Sequence, residues 1–163
     1  VSIHQCIDEA VHLLSMQKER KQIEYRNLTD PEIKILGDTQ RIIQVFINLL
    51  SNANDASPDY STITLQTTIK SPFAHIDVID EGSGIEPEHI QQIMDPFFTT
   101  KEAGEGTGLG LSVVFSIIEE HEGQIDITSP VSRQGGTCFT IKLPLLDEAL
   151  ESISRPLHTT PFN

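Results

Sequence analysis

The hydrophobic and polar positions of the chain follow two periods, and the changes between them predict its secondary structure. Apolar residues recur at helical spacing in three segments: 3–14, 42–53 and 111–118. Alternating or short apolar runs predict strands in six others: 23–28, 33–36, 62–70, 73–80, 124–128 and 137–143. A short helix is predicted to start at Pro87, and the stretch from 95 to 108 has no period, which predicts a loop.

Local signals mark where the predicted helices begin and end. Ser2-Ile3-His4-Gln5 has the form of a capping box, and Gly37-Asp38 caps a second helix that runs to about Ala56, before Pro58. Gly123 closes the third helix. Helices packed on one face of a mixed, mostly antiparallel sheet give a two-layer α/β sandwich, which is the fold that we predict.

Length and composition indicate one globular domain taken from a longer protein. The 163 residues predict a domain over 1–144 and a C-terminal tail over 145–163, where the pattern weakens. No apolar run approaches the ~20 residues that span a bilayer, no signal-peptide pattern is present, and Val1 in place of Met predicts a fragment. Cys6 and Cys138 are too few and too far apart for a disulfide framework or a zinc site, so the expected setting is the reducing cytosol.

The formal net charge of −13 bears on the partners of the chain. It argues against DNA and RNA, because phosphate backbones require clustered Lys and Arg. It also repels a polyphosphate ligand at long range. Any phosphate site must therefore act locally, through backbone N–H groups, one or two cations and a metal ion.

Two glycine-rich segments predict such a site. Asp80-Glu81-Gly82-Ser83-Gly84-Ile85 follows a strand, and the run from Gly104 to Leu111 opens directly into an apolar helix. Glycines let the backbone approach a ligand and present N–H groups, with a helix dipole behind the second run. The Asp80 carboxylate is an acceptor that suits an exocyclic amino group such as that of adenine. Neither segment fits a Rossmann or P-loop pattern.

Simpler interpretations of these segments stay open. The first segment also fits an ordinary strand-ending turn, and the second a flexible linker, although linkers do not usually pass straight into a buried helix. Lys101 is either a contact to a terminal phosphate or a solvated lysine. Phe97-Phe98 is either part of the core or a hinge for the loop.

A polar stripe is predicted along the second helix. Arg41, Gln44, Asn48, Asn52 and Asp55 fall within an arc of roughly 80° on a helical wheel. A solvated face is the simpler interpretation, but such faces prefer Glu and Lys, and Asn is a weak helix former. The other interpretation is a set of side-chain amides aimed into a cleft, where an amide oxygen can ligate Mg²⁺ and an amide nitrogen can bond a phosphate.

Taken in order, these pieces resemble the catalytic, ATP-binding domain of a two-component sensor histidine kinase. The resemblance spans about residues 1 to 144, and its F box is similar to that of the nitrogen-regulation and dicarboxylate-sensing branch. Its motifs are Asn48-Leu49-Leu50-Ser51-Asn52-Ala53-Asn54-Asp55 (N box), Asp80-Glu81-Gly82-Ser83-Gly84 (first glycine box), Asp95-Pro96-Phe97-Phe98-Thr99-Thr100-Lys101 (F box), Gly106-Thr107-Gly108-Leu109-Gly110-Leu111-Ser112 (second glycine box) and Gly135-Gly136-Thr137.

The resemblance implies a Bergerat fold with ATP held between the N-box helix and a mobile lid that Phe97 anchors. Asn52 would ligate Mg²⁺, with Asn48 and Asp55 beside the phosphates, and Asp80 would accept from the adenine amino group. The other positions implied to line the base or hold the phosphates are Gly82, Gly84, Ile85, Lys101, Gly106, Thr107, Gly108, Leu109, Gly110, Leu111 and Thr137.

The implied activity is transfer of the ATP γ-phosphate to a His, and then to an Asp of a response regulator, with Asn48 and Lys101 as the catalytic residues. Relatives that hydrolyse ATP place Glu at the position of Asn48; an amide cannot act as a general base, so we expect weak intrinsic ATPase activity. The phosphoacceptor of the family is a His followed by an acidic residue in an upstream dimerisation helix. None of the six histidines lies in that setting, and His121-Glu122 comes nearest, so autophosphorylation of this chain is not expected.

The implied partners are the phosphoacceptor domain of the same kinase and a response regulator, in a homodimeric full-length protein. The domain itself is expected in the cytoplasm, which leaves open an inner-membrane anchor elsewhere in the full-length kinase. Two alternatives are a non-catalytic nucleotide-binding adaptor and a related kinase that phosphorylates Ser, as anti-sigma-factor kinases do.

Overall fold

The computed structural model describes residues 1–17, 22–84, 108–130 and 135–146. In chain order they form α1 (Ile3–Ser15), β1 (Glu24–Asn27), α2 (Thr39–Ala56), β2 (Thr62–Lys70), β3 (Phe73–Asp80), α3 (Gly108–Glu120), β4 (Gln124–Thr128) and β5 (Thr137–Pro144). The main helices and five of the six strands are therefore confirmed, with small shifts at their ends. The short helix from Pro87 and nearly all of the loop from 95 to 108 lie outside the described residues. The domain boundary proposed at residue 144 stays a prediction.

The segment from 33 to 36, predicted as a strand, does not become a strand of the sheet. It makes only isolated bridges, one between Ser2 and Lys34 and one between Ile35 and Leu145. Ile33 and Ile35 are buried, which explains their alternation in the sequence. The segment stays short because it lies between the turn at Asp30, which accepts from the Glu32 N–H at 2.9 Å, and the cap of α2.

The five strands form one sheet in the order β1-β2-β3-β5-β4. β1 runs parallel to β2, and the other neighbouring strands are antiparallel, so the predicted mixed and mostly antiparallel sheet is confirmed. The helices cover one face. None of the helices in the described ranges is long and apolar enough to cross a membrane.

The core lies between this face of the sheet and the helices. β3 alternates strictly between buried and half-buried positions, and its inward row begins with Ala74, Ile76 and Val78. α2 is central, since it packs against both α1 and α3. The largest fully buried side chains, drawn from α1, the α1–α2 connection, α2, three strands and α3, are Phe46, Ile3, Ile7, Ile35, Ile42, Leu49, Leu50, Ile63, Leu65, Ile76, Ile118 and Ile141.

The C-terminal end of α3 is fastened to the N-terminal end of α2. His121 accepts a hydrogen bond at Nε2 from the backbone N–H of Asp38 at 3.1 Å, and its Nδ1–H donates to the Ile117 carbonyl at 2.8 Å. Next to it, Arg41 forms an ion pair with Glu120. Because the contacts join the end of one helix to the start of the other, α2 and α3 run antiparallel, and the C-terminal half of α2 lies toward the start of α3.

The end of α3 differs from the prediction in one respect. The residue with the left-handed backbone conformation is Glu122, at φ +58°, and not Gly123. Gly123 donates its N–H to the Ile118 carbonyl at 2.9 Å, which completes the helix end. Its lack of a side chain serves packing, because a Cβ there would lie 2.3 Å from the Lys142 carbonyl oxygen of β5.

A buried hydrogen bond ties the C-terminal half of α2 to the edge of the sheet. Asn54 is 1% exposed, and its Nδ2 donates to the Tyr25 hydroxyl of β1 at 2.9 Å. A buried amide without a partner is costly, so this bond favours one orientation of the helix end over others. The C-terminal half of α2, which this bond orients, also carries Asn52 and Asp55.

We predict that Tyr25→Phe lowers the free energy of unfolding by about 1–3 kcal/mol, because it leaves the Asn54 amide buried without this acceptor. Urea denaturation at constant pH measures the change. Tyr60→Phe is the matched control, since Tyr60 is 86% exposed and its loss of a hydroxyl should shift stability by less than about 0.5 kcal/mol. Equal effects of the two substitutions would contradict the assignment.

Candidate nucleotide-binding site

Asp80 occupies a position in β3 where the pattern calls for an apolar residue. It continues the inward row of Ala74, Ile76 and Val78, so its carboxylate lies on the helix-covered face of the sheet. It is only 6% exposed. The alternation of the strand is enough to predict that Asp80 points inward. An inward carboxylate at the end of such an apolar row is unusual for a strand-ending turn.

The carboxylate is held through one of its two oxygens. Oδ1 accepts from the backbone N–H of Gly82 at 2.8 Å and from that of Thr137 at 3.1 Å. Among the described residues, no hydrogen bond reaches Oδ2, which therefore keeps its acceptor capacity. The arrangement orients the side chain and leaves one oxygen for a ligand.

Burial raises the pKa of Asp80 above that of an ordinary aspartate, and the hydrogen bonds from Gly82 and Thr137 offset only part of the rise. Because the pKa is higher in the folded chain, the ionised carboxylate costs folding stability at neutral pH. That cost disappears as the pH falls through the raised pKa. A charge retained at such a cost is typical of a binding site.

The loop after β3 packs tightly against the end of α2. A Cβ at Gly82 would lie 2.6 Å from the carbonyl oxygen of Ala56, so a side chain there would push the loop away from the helix. The Gly82 carbonyl in turn accepts from the Gly136 N–H at 2.8 Å. The first glycine segment, the end of α2 and the start of β5 are thereby brought together, as the site hypothesis requires.

Thr137 completes this group as the partner of Asp80 across the β3–β5 pair. Both side chains point inward, and Thr137 is 4% exposed. Gly84 and Gly135, which flank the contact between the two glycine-bearing loops, have φ values of +92° and +107°. These left-handed conformations favour glycine, which explains why both loops carry it.

Ser129 joins the group, although the sequence analysis did not name it. Its hydroxyl donates to the Gly136 carbonyl at 2.9 Å and lies 3.2 Å from the Thr137 hydroxyl. A serine before a proline is common in turns, so no periodic signal marked it. Only the approach of the β4 end to the β5 start shows that it supports the Thr137 segment.

The polar stripe of α2 is exposed to a groove over part of its length. Asn48 and Asn52 are half-buried and Asp55 is exposed. Gln44 donates through Nε2 to Asn48 Oδ1 at 2.7 Å. Gln44 and Arg41 also line a groove between α2 and α3, opposite Ser112 and its neighbours on α3. The N-terminal part of the stripe thus lines a groove, and its Arg41 is engaged in the ion pair with Glu120.

Asn52 differs from Asn48 in its partners. Its side chain makes no hydrogen bond to another residue of the described ranges, whereas Asn48 is bonded to Gln44. A half-buried amide without such a bond fits a ligand or a metal ion. The described residues contain no group of three or more His, Cys, Asp or Glu that could hold a metal.

The second glycine segment is described only from Gly108 onward. Gly108, Leu109 and Gly110 form the first turn of α3, whose unpaired N–H groups and dipole suit a phosphate. Leu111 follows, packed against the core. Ile85, Lys101, Gly106 and Thr107 lie outside the described residues, together with the F box over 95–101, and their roles stay predictions.

Comparison with known proteins identifies the family and the fold of the chain. A family model described as histidine kinase-, DNA gyrase B- and HSP90-like ATPase matches residues 37–147. Sporulation kinase A of Bacillus subtilis (strain 168) is 39% identical over 145 residues, which cover 88% of this chain and 23% of that protein. Sensor histidine kinase ZraS of Escherichia coli (strain K12) is 36% identical over 148 residues, or 89% of this chain and 30% of that protein. The chain thus spans less than a third of either relative.

Solved structures match over nearly the whole chain. The mycobacterial sensor histidine kinase MprB superposes with a TM-score of 0.78 at 26% identity, covering 90% of this chain and 96% of that one. The nucleotide-free catalytic domain of histidine kinase ThkA superposes with a TM-score of 0.77 at 31% identity, covering 91% and 95%. The Bergerat-type sandwich is therefore confirmed. The chain belongs to the histidine kinase-, DNA gyrase B- and HSP90-like ATPase family, and its fold is that of the ATP-binding catalytic domain of sensor histidine kinases.

Proposed function

We propose that this domain binds Mg-ATP between α2 and its glycine-bearing loops and presents the γ-phosphate to a histidine on a dimerisation helix outside this chain. The observation that carries the proposal is the buried Asp80 carboxylate, held at Oδ1 with Oδ2 left as an acceptor. In the full-length kinase the phosphoryl group then passes to a response regulator. We propose a homodimer with this domain in the cytoplasm, where ATP is available.

Asp80 is suited to recognise the amino group of adenine. An ionised carboxylate oxygen only accepts hydrogen bonds, and the adenine amino group only donates them. A Cβ at Gly82 would lie 3.2 Å from Asp80 Oδ1, so the glycine keeps side-chain atoms away from this carboxylate, beside which a flat base would lie. Gly84 and Thr137 border the same place.

Asn52 is the proposed ligand of Mg²⁺. Its half-buried amide has no competing bond among the described residues, and it lies one helical turn from Asn48 on the polar stripe of α2. Mg²⁺ is usually held by one or two protein oxygens with the substrate phosphates and water, so a single amide fits this role. When bound, the ion neutralises the charge of the phosphates. Asp55 would lie beside the phosphates, the first turn of α3 would contact them, and Lys101 is the proposed cation near them.

Asn48 favours phosphoryl presentation over hydrolysis. Its Oδ1 accepts from Gln44, which orients the amide so that the nitrogen points away from Gln44. An amide nitrogen can donate to a phosphate oxygen, but the amide cannot remove a proton from water. The site therefore holds the triphosphate without activating a water molecule, which suits a kinase whose acceptor arrives from elsewhere.

The described histidines do not serve as phosphoacceptors in this proposal. Both ring nitrogens of His121 are engaged, one by Asp38 and one by Ile117, so neither is available to attack a phosphorus atom. His4 contacts the Thr29 carbonyl and hydroxyl at 3.0 Å and lies 3.4 Å from Asp8. The proposal therefore places the phosphoacceptor histidine on another domain.

Isothermal titration with Mg-ATP tests base recognition. We expect Asp80→Asn to weaken binding by about 1–3 kcal/mol, because an amide nitrogen then faces the adenine amino group or the backbone N–H groups lose their charged acceptor. Asp77→Asn is the matched control, since it removes the same charge from the outward row of β3, where Asp77 accepts from Thr140 at 2.7 Å. Equal losses in both variants would contradict the assignment.

The same pair gives a pH test with a definite sign. Protonated Asp80 no longer accepts at the protonated oxygen, so the affinity advantage of the wild type over Asp80→Asn should shrink as the pH falls through the raised pKa of Asp80. Taking the ratio of the two affinities cancels the titration of the nucleotide itself. A ratio independent of pH down to the pKa of an ordinary aspartate would contradict this prediction.

Removal of the metal tests Asn52. We expect excess EDTA to weaken ATP binding to the wild type and to have little further effect on Asn52→Ala, because the variant has already lost its magnesium-dependent affinity. Ser51→Ala, the preceding residue on α2, is the control and should keep the wild-type response to EDTA. If Asn52→Ala responds to EDTA as strongly as the wild type, another group ligates the ion.

Incubation with labelled ATP tests whether the chain lacks a general base for hydrolysis and a phosphoacceptor histidine. We expect turnover below about 1 s⁻¹ and no phosphohistidine on the isolated chain. A kinase fragment that contains the dimerisation helix should become labelled when this domain is added in trans. Acid-labile label on the isolated chain, or faster hydrolysis, would overturn the proposed division of labour.

A further inference from the structure

We infer that Ser129 is a positioning residue that makes the Thr137 hydroxyl a hydrogen-bond acceptor toward the bound base, so that the site selects a purine with an amino group at C6. The inference rests on the proposed binding of ATP and extends it to a residue that lies behind the site. It depends on where two hydroxyl protons lie.

The proton positions follow from the partners of the two hydroxyl groups. Ser129 Oγ is 2.9 Å from the Gly136 carbonyl oxygen and 3.2 Å from Thr137 Oγ1. A carbonyl oxygen only accepts, so the single Ser129 hydroxyl proton belongs to the bond with Gly136. The short contact between the two hydroxyl oxygens then needs the proton of Thr137. Thr137 thus donates to Ser129.

A threonine hydroxyl that has given its proton to a neighbour offers only lone pairs elsewhere. Thr137 stands opposite Asp80 across the β3–β5 pair, on the same inward face. The backbone N–H groups of Thr137 and Gly82 already donate to Asp80 Oδ1. The border of the proposed base pocket therefore presents two acceptors, Oδ2 of Asp80 and Oγ1 of Thr137, and these two N–H donors are occupied.

Two acceptors discriminate between purines at one position. The amino group at C6 of adenine has two N–H donors, whereas hypoxanthine carries a carbonyl oxygen there. A carbonyl oxygen at this position faces the two acceptor oxygens of Asp80 and Thr137. The contact is costly because none of these three oxygens has a proton to donate in it. Without Ser129, the Thr137 hydroxyl can turn and donate to that carbonyl. Loss of Ser129 should therefore relax the selectivity, beyond any general loss of affinity.

Ser129 is well placed to act only in this indirect way. It is half-buried behind the Gly135–Thr137 segment, and a Cβ at Gly84 would lie 3.1 Å from its Oγ, so it borders the first glycine loop as well. A merely structural role would change the affinities for all nucleotides together. A change in the ratio of two affinities is the distinguishing result.

The experiment measures the dissociation constants of Mg-ATP and Mg-ITP for the wild type, Ser129→Ala, Ser129→Thr and Thr137→Val. We expect the wild type to prefer ATP, and Ser129→Ala to lower the ATP-to-ITP preference by about five- to tenfold. Ser129→Thr keeps the hydroxyl and should keep the preference. Adding Ser129→Ala to Thr137→Val should leave the ratio of Thr137→Val unchanged, because the acceptor is already gone.

Each outcome bears on a separate claim. If the wild type binds neither nucleotide, the proposed function fails. If it binds ATP and Ser129→Ala lowers both affinities by the same factor, Ser129 is structural and the inference alone is overturned. If Ser129→Ala does not fold, Ser129→Cys replaces it, since a thiol is a weak donor and a weak acceptor and should reduce the preference in the same direction. An unchanged preference in Ser129→Cys also overturns the inference.

Discussion

A carboxylate buried at the end of the central strand is the constraint on which the site depends. Asp80 follows three apolar residues in the inward row of β3, at a position that the core would otherwise fill. Its charge is tolerated because two backbone N–H groups, from Gly82 and Thr137, converge on one oxygen. Those donors come from the loop after β3 and from the start of β5, so satisfying the charge also fixes how these two segments approach each other. This end of the proposed site is thus built around the need to solvate one anion with peptide groups.

The second wall of the site is α2, which serves the core and the cleft at once. Its apolar side holds Phe46, Leu49 and Leu50 in the centre of the domain. The N-terminal part of its polar side lines the groove shared with α3. The helix is fixed at both ends, by Asp38 and Arg41 against the end of α3 and by Asn54 against Tyr25. If the α2 amides contact the nucleotide as proposed, a helix fixed in this way needs little reorganisation when the nucleotide binds.

The strongly negative chain and a polyanionic ligand are compatible because the donors are local. The formal net charge is −13, and Arg41 of the polar stripe is neutralised by Glu120. In the proposed site, attraction to phosphates comes from peptide N–H groups at the start of α3 and from side-chain amides of α2. Such short-range donors act only on a ligand already in the cleft. Affinity at such a site depends more on the placement of these donors than on long-range electrostatic attraction of the ligand.

Periodicity and spacing by themselves determined most of the architecture. The three helices, the strands and the caps at Ser2 and Asp38 follow from local preferences, because helical and strand periods depend on neighbours in sequence. The order of the glycine motifs and the N box sufficed to identify the family. The asparagines of α2 were also found this way, since weak helix formers placed regularly on one helix face are a local anomaly.

Tertiary structure decided what depends on contacts between distant residues. Only the β3–β5 pairing shows that Thr137 donates its N–H to Asp80, and only the approach of β4 to β5 brings Ser129 to Thr137. Residues 33–36 alternate as a strand would, yet make only isolated bridges, to Ser2 and Leu145. Gly123 carries the sequence signal of a helix end, but Glu122 adopts the left-handed conformation and the glycine instead makes room for Lys142. In each case the deciding atom belongs to a residue outside the local sequence window, so no local pattern records it.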